Sequence, residues 1–170
     1  MNLRWVGGVV AFGAFVADQT AKFAMLTSSG PSSANSTTVF PFLDLVLRWN
    51  RGISFSLFVQ HSDAGHMALL GLTFAAVTLL IWWLTNCRTL LAAAGLGAII
   101  GGALGNVFDR LIHGAVVDFL DLHLFGRHLF VFNLADAAIN VGVLLLLIDL
   151  IFGPRSADSG ANVATQKAEK

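Results

Sequence analysis

Four stretches of the sequence are long, apolar and nearly free of charge, and they decide what kind of molecule the chain can form. Residues 67–84 and 89–108 carry no formal charge, residues 129–148 carry only Asp136, and residues 5–25 are apolar as far as Ala17 before meeting Asp18 and Lys22. A bilayer crossing takes roughly 20 apolar residues in a helix. In lipid a backbone must satisfy its own hydrogen bonds, which a helix does within one segment. Hydrophobic residues make up 56% of the chain and charged ones 12%, against about 45–50% and about 25% in ordinary globular chains. The expectation is a mainly α membrane protein with four transmembrane helices at about 5–25, 67–85, 89–108 and 132–152, in one domain over residues 1–153. The first segment is read as a retained helix, since no small-x-small cleavage site follows it cleanly.

Charge excludes one class and orients another. Ten basic and ten acidic residues cancel, so no bulk positive field exists to hold nucleic acid. Cys87, the single cysteine, has no partner for a disulfide within the chain. With four spans, Arg4, Arg88, Arg155, Lys167 and Lys170 share one side with both termini. Lys22, Arg48, Arg51, Arg110 and Arg127 fall on the other, so the positive-inside count ties. Arg4 directly before the first span and Arg88 in a very short connection tip the balance to both termini inside.

The two outer connections carry more than linkage. Residues 27–38 are a polar, low-complexity flexible loop. Residues 39–58 have strand-like content, with Phe40, Phe42, Leu45, Val46, Leu47 and Trp49, and suit a short sheet or hairpin lying on the membrane surface. In the second connection Leu120, Leu122 and Leu124 alternate with Asp121 and His123, the period of a half-buried extended segment at the interface. Residues 154–170 read as a disordered cytoplasmic tail.

Polar groups inside such spans are the candidates for chemistry. Asp18 and Lys22 are i, i+4 neighbours, spaced for an ion pair near the outer end with the lysine snorkelling toward water. Gly97, Gly101 and Gly105 recur every four residues, a small-xxx-small face for close helix packing. The same helix ends with Asn106, Asp109 and Arg110 on one face. The arginine there suits a headgroup anchor or an acid's partner. Asn133, Asp136 and Asn140 share a stripe of the last span, so the asparagines can orient the carboxylate. The alternative is polar glue between helices. Asp118, in the connection before that span, has Val116, Val117, Phe119 and Leu120 around it, which implies a desolvated carboxyl. If Asp118 meets Asp136, the two cannot easily both ionise and hold one proton near neutrality. Such a pair works as general base and general acid at once.

Rival chemistries find less support. His113, Asp118, Asp121, His123 and His128 cluster within a short stretch and offer metal-ligand types, but no HExxH is present. Ser54 or Ser56 with Lys22 would make a serine–lysine pair, though nothing ties them together, and GxSxG is absent. A proton- or ion-conducting bundle using Asp18 and Asp136 is the non-enzymatic alternative.

Five pieces, "DQTAK" (18–22), "WNRGISFS" (49–56), "GGALGNVFDR" (101–110), "VVDF" (116–119) and "FNLAD" (132–136), resemble in order the bacterial lipoprotein signal peptidase family, signal peptidase II. The resemblance implies an aspartic peptidase of the inner membrane with a periplasm-facing site, and a small periplasmic β-sheet over about 39–58 that cradles the substrate. It implies cleavage of diacylglyceryl-modified prolipoproteins just before the lipidated cysteine, and sensitivity to cyclic lipopeptides such as globomycin. It assigns the catalytic pair to Asp118 and Asp136 and support to Asp18, Lys22, Asn50, Gly102, Asn106, Arg110 and Asn133. It implies no metal, no organic cofactor and no nucleic-acid partner; membrane lipids are the surroundings. After Asn50 the chain departs from the commoner Thr-Gly-Ala-Ala-Phe, carrying Arg51-Gly52-Ile53-Ser54-Phe55.

Overall fold

The computed structural model describes residues 2–28, 36–52, 63–125 and 127–153, without the side chains of Asp63, Ala64 and His66. The expected tail at 154–170, most of the polar loop at 29–35, and the cradle beyond Gly52 with Ser54 and Ser56 lie outside the described residues. The elements run α1 (Leu3–Thr27), β1 (Thr37–Phe40), β2 (Leu43–Asn50), α2 (Asp63–Asn86), α3 (Leu90–His113), β3 (Val116–Leu124), β4 (Arg127–Phe132) and α4 (Leu134–Phe152). Among the described residues, four helices are long and apolar enough to cross a membrane, as the hydropathy pattern predicts, and a small sheet accompanies them.

Local chemistry starts and stops these helices. Asn2 caps α1 by accepting the Arg4 amide at 3.2 Å, and Thr89 caps α3 by accepting Ala92 at 3.1 Å. Side-chain oxygens of this kind satisfy amides that a helix N-terminus leaves without partners. At the other end of α3, Gly114 takes φ 68°, the left-handed conformation that glycine reaches without a Cβ penalty. The turn it makes sends the chain directly into β3. The helix thus continues to His113, past the expected end near residue 108.

Helix α3 is the centre of the bundle. Inside the protein lies 61% of its span, against 22% for α1 and 11% each for α2 and α4. The outward faces are strongly apolar, with Trp5, Phe12, Phe74, Trp82, Leu150 and Phe152 all exposed. That pattern fits a lipid surround and would be costly in water. A core of Val77, Leu84, Ala93, Leu96 and Ile100 joins α2 to α3. Two adjacent glycines let α3 approach a different helix on each side. A Cβ at Gly101 would collide with the Ala11 backbone of α1, and one at Gly102 would collide with the Ala135 carbonyl of α4. Close backbone contact replaces hydrophobic driving force where lipid is the solvent. The Gly102 contact lies one residue from Asp136, so the glycine matters for where that aspartate sits.

The sheet is antiparallel throughout, in the order β1-β2-β3-β4. Asp118 sits in β3, paired across with Arg48, rather than in a loop preceding the last helix. The hydrogen-bonded ladder on both sides fixes its strand far more firmly than a loop would. A register shift between Leu45 and Arg48 bends β2 beside it, as such irregularities do near sites.

Candidate active site

Asn133 joins the two halves of the site. It caps α4, with its Oδ1 accepting the Asp136 amide at 2.9 Å. Its Nδ2 donates to Asp118 Oδ1 at 2.7 Å and to Asn106 Oδ1 at 3.3 Å. The residue is fully buried, and every polar atom of its side chain is satisfied. The spacing predicts that Asn133 orients the Asp136 carboxylate; from the cap position it instead accepts the Asp136 backbone amide, and the carboxylate it holds is that of Asp118. Asn140, expected on the same stripe, is exposed and makes no bond to Asp136. The stripe argument fails because Asn133 precedes the helix instead of lying on it.

Asp118 has a donor on each oxygen. Asn50 Nδ2 reaches Oδ2 at 2.9 Å, opposite the Asn133 bond. Asn50 is itself held by the Gly52 amide, which donates to its Oδ1 at 2.9 Å. The carboxyl is 3% exposed. Burial raises its pKa to about 6, against the lowering pull of Asn50; the neighbouring Asp136 carboxylate adds to the rise, and Asn133 and the Lys22 charge oppose it. Asp136 Oδ1 accepts Asn106 Nδ2 at 2.9 Å. The two carboxyls are coupled in charge, and a chain of side-chain hydrogen bonds runs between them from Asp118 through Asn133 and Asn106 to Asp136.

Behind them Lys22 does not snorkel. It is 2% exposed, and its ammonium lies 2.8 Å from Asp18, 2.9 Å from Asp109 and 3.2 Å from Asn106 Oδ1. Those three acceptors use all three of its donors. A snorkelling position would leave two buried carboxylates without their cation, at a cost of several kcal/mol. Arg110 likewise departs from expectation. It donates to the carbonyls of Gly52 at 2.8 Å and Asn106 at 3.2 Å, so it ties the end of β2 to α3. Among the described residues it forms no ion pair. Arg51, the unusual residue of this segment, is exposed, while Asn50 and Gly52 keep their contacts beside it.

A cleft of about 440 Å³ opens on Asp118, walled by Arg48, Trp49 and Asn50 on one side and Leu129, Phe130 and Val131 on the other. The histidine–acid cluster does not converge on it. His113 packs edge-on against Trp49, His128 meets Asp121 at 2.7 Å, and His123 lies 3.2 Å from Asp44. Among the described residues no three His, Cys, Asp or Glu form a metal-binding group. Two contributors escaped sequence reasoning. Gln19 and Asp109 both enter the Lys22 cluster, and the only advance signal was Asp109 sharing a helix face with Asn106.

Residues 10–152 match the family model for signal peptidase (SPase) II. The chain belongs to the signal peptidase II family. A lipoprotein signal peptidase of Methylocella silvestris is 44% identical over 160 residues, covering 94% of each chain. One from Nitrobacter hamburgensis is 46% identical over 147 residues, covering 84% of this chain and 90% of the relative. A solved bacterial membrane enzyme superposes with a TM-score of 0.76 at 25% identity, across 89% of this chain and 93% of that one. The protein is a peptidase and a multi-pass membrane protein.

Proposed function

We propose that this chain is an intramembrane aspartic endopeptidase that cuts diacylglyceryl-modified prolipoproteins just before the lipidated cysteine, with Asp118 and Asp136 as its acid–base pair. The observation that carries the reading is Asn133, which donates to the Asp118 carboxylate and accepts the Asp136 amide. One buried side chain therefore sets both aspartates. On this reading the site faces the periplasm across the inner membrane, both termini lie inside, and residues 1–153 act as one domain.

The chemistry follows from one shared proton. The ionised carboxylate takes a proton from water as its oxygen attacks the scissile carbonyl carbon, while the protonated partner gives its proton to the carbonyl oxygen. The tetrahedral diol then collapses. Its C–N bond breaks, a proton passes to the cysteine nitrogen, and a free amine and a carboxylic acid leave. General acid–base work of this kind contributes ~10²–10⁴-fold; fixed dipoles and positioning supply the rest. Asn50 and Asn133 hold Asp118 by both oxygens, which keeps its orientation through the proton transfers. The apolar faces of the bundle admit the signal helix from the bilayer, the acyl chains stay among membrane lipids, and the cleft beside Asp118 receives the chain. Globomycin-type cyclic lipopeptides would compete for the same space.

The test is product mapping by mass spectrometry on one precursor with and without its diacylglyceryl group. Cleavage before the lipidated cysteine, and none of the unmodified precursor, is expected. Equal cleavage of both, or a cut elsewhere, overturns the substrate assignment.

A further inference from the structure

The two carboxylates around Lys22 each do a second job, and the two jobs are parallel. Asp18 Oδ1 accepts the backbone amide of Ala135 at 2.8 Å. Ala135 immediately precedes Asp136. Asp109 Oδ2 accepts the backbone amide of Val117 at 3.0 Å. Val117 immediately precedes Asp118. A single buried ammonium therefore clamps two acids, and each acid grips the chain one residue before a site aspartate. Gln19 closes the frame, the two N–H of its Nε2 shared among Asp18 Oδ2 at 3.1 Å, Asp109 Oδ1 at 3.1 Å and the Gly105 carbonyl at 3.3 Å. Gly105 leaves room for it, since a Cβ there would sit 2.6 Å from the Asp18 carboxylate.

We propose that Asp109 and Gln19 are positioning residues of the reaction, holding the Asp118 strand and the start of α4 at the separation the acid–base pair requires. The proposal rests on the reading of Asp118 and Asp136 given above. Asp109 is buried against Lys22, and Gln19 bonds both of the acids that Lys22 holds, so both act through the backbone before the site aspartates rather than on substrate. Burying a cation with two carboxylates is a poor way to gain stability, because desolvation offsets most of the attraction. It is a good way to fix backbone, because charge-assisted hydrogen bonds are short and directional. A displacement of about 1 Å between reacting groups can cost ~10²-fold in rate.

The experiment measures kcat, KM and their pH dependence per folded enzyme on a lipidated precursor. The full chain in detergent micelles is compared with Gln19→Ala, Asp109→Asn, Asp109→Glu and Asp118→Asn. Asp109→Asn is expected to lose about 100-fold in kcat and Gln19→Ala about tenfold, with KM within about twofold of the parent. Asp109→Glu, which keeps the charge and the acceptor, is expected to recover part of the loss. As the pair loosens, its mutual repulsion weakens, so the two limbs of the kcat profile draw together. A purely structural role would lower only the amount of folded enzyme. Gln19→Ala removes no charge and keeps the test valid should Asp109→Asn fail to fold. Unchanged kcat, or reduced kcat with unmoved limbs, overturns the proposal if Asp118→Asn is inactive. Cleavage by Asp118→Asn overturns the reading beneath it.

Discussion

Replacing Asn133 by alanine isolates the residue on which the site turns. The substitution removes the α4 cap, one donor to Asp118 and one donor to Asn106. Losing the cap costs about 1 kcal/mol, and losing a hydrogen bond to a charged group costs about 1.5–3 kcal/mol. The second figure acts on chemistry as well as stability. The lost bond stabilised the ionised form of Asp118, so its pKa rises further. By the conversion of about 1.4 kcal/mol per tenfold, the limb it governs moves up by about one to two pH units. Asn133→Asp keeps a good cap but sets a third carboxyl against Asp118, which moves that limb upward as well. The assay is a gel-shift measurement of precursor cleavage from pH 5 to 9, with unfolding in detergent followed in parallel. A Asn133→Ala profile that superimposes on the parent's would refute the claim that Asn133 holds Asp118.

Three further outcomes follow from the same contacts. Asp118 has its pKa raised from 3.8 to about 6 in the folded chain, so this group's stabilising contribution is complete below about pH 4 and lost as pH rises through 6. Asp118→Asn should therefore gain up to about 3 kcal/mol relative to the parent between pH 4 and pH 7, read from unfolding curves; a constant difference would contradict it. Lys22→Met leaves Asp18 and Asp109 buried without their cation and should cost about 3–5 kcal/mol, seen as a lowered Tm in detergent. Gly101→Ala drives a methyl into the Ala11 backbone and should cost about 1–3 kcal/mol, with Gly71→Ala, which meets open space, as the comparison.

The spans were readable because a bilayer leaves a chain little choice, and twenty uncharged residues can hardly do anything else. The Asp18–Lys22 pair was readable because four residues is one helical turn. What lay across the fold was not. Whether a lysine snorkels or turns inward depends on Asp109, 87 positions further along the sequence, and no local period carries that information. Asn133 has the right spacing to share a stripe with Asp136, yet it sits at the cap, where its oxygen serves the helix and its amide serves β3. Asp118 looked like a loop residue because apolar neighbours on both sides of it broke the alternation of the strand; all four of residues 116–119 are buried. The resemblance to known peptidases supplied the pairing of Asp118 with Asp136, which period and composition only suggested.

The most direct test of the account takes Asp118→Asn and Asp136→Asn singly, each confirmed as inserted and folded, with cleavage of a diacylglyceryl-modified precursor measured against the parent. Removing one partner of the pair should lower the rate by about 10²–10⁴-fold in each case, with the precursor still bound. Near-parental cleavage by either variant would contradict the assignment of these two carboxyls as the catalytic pair.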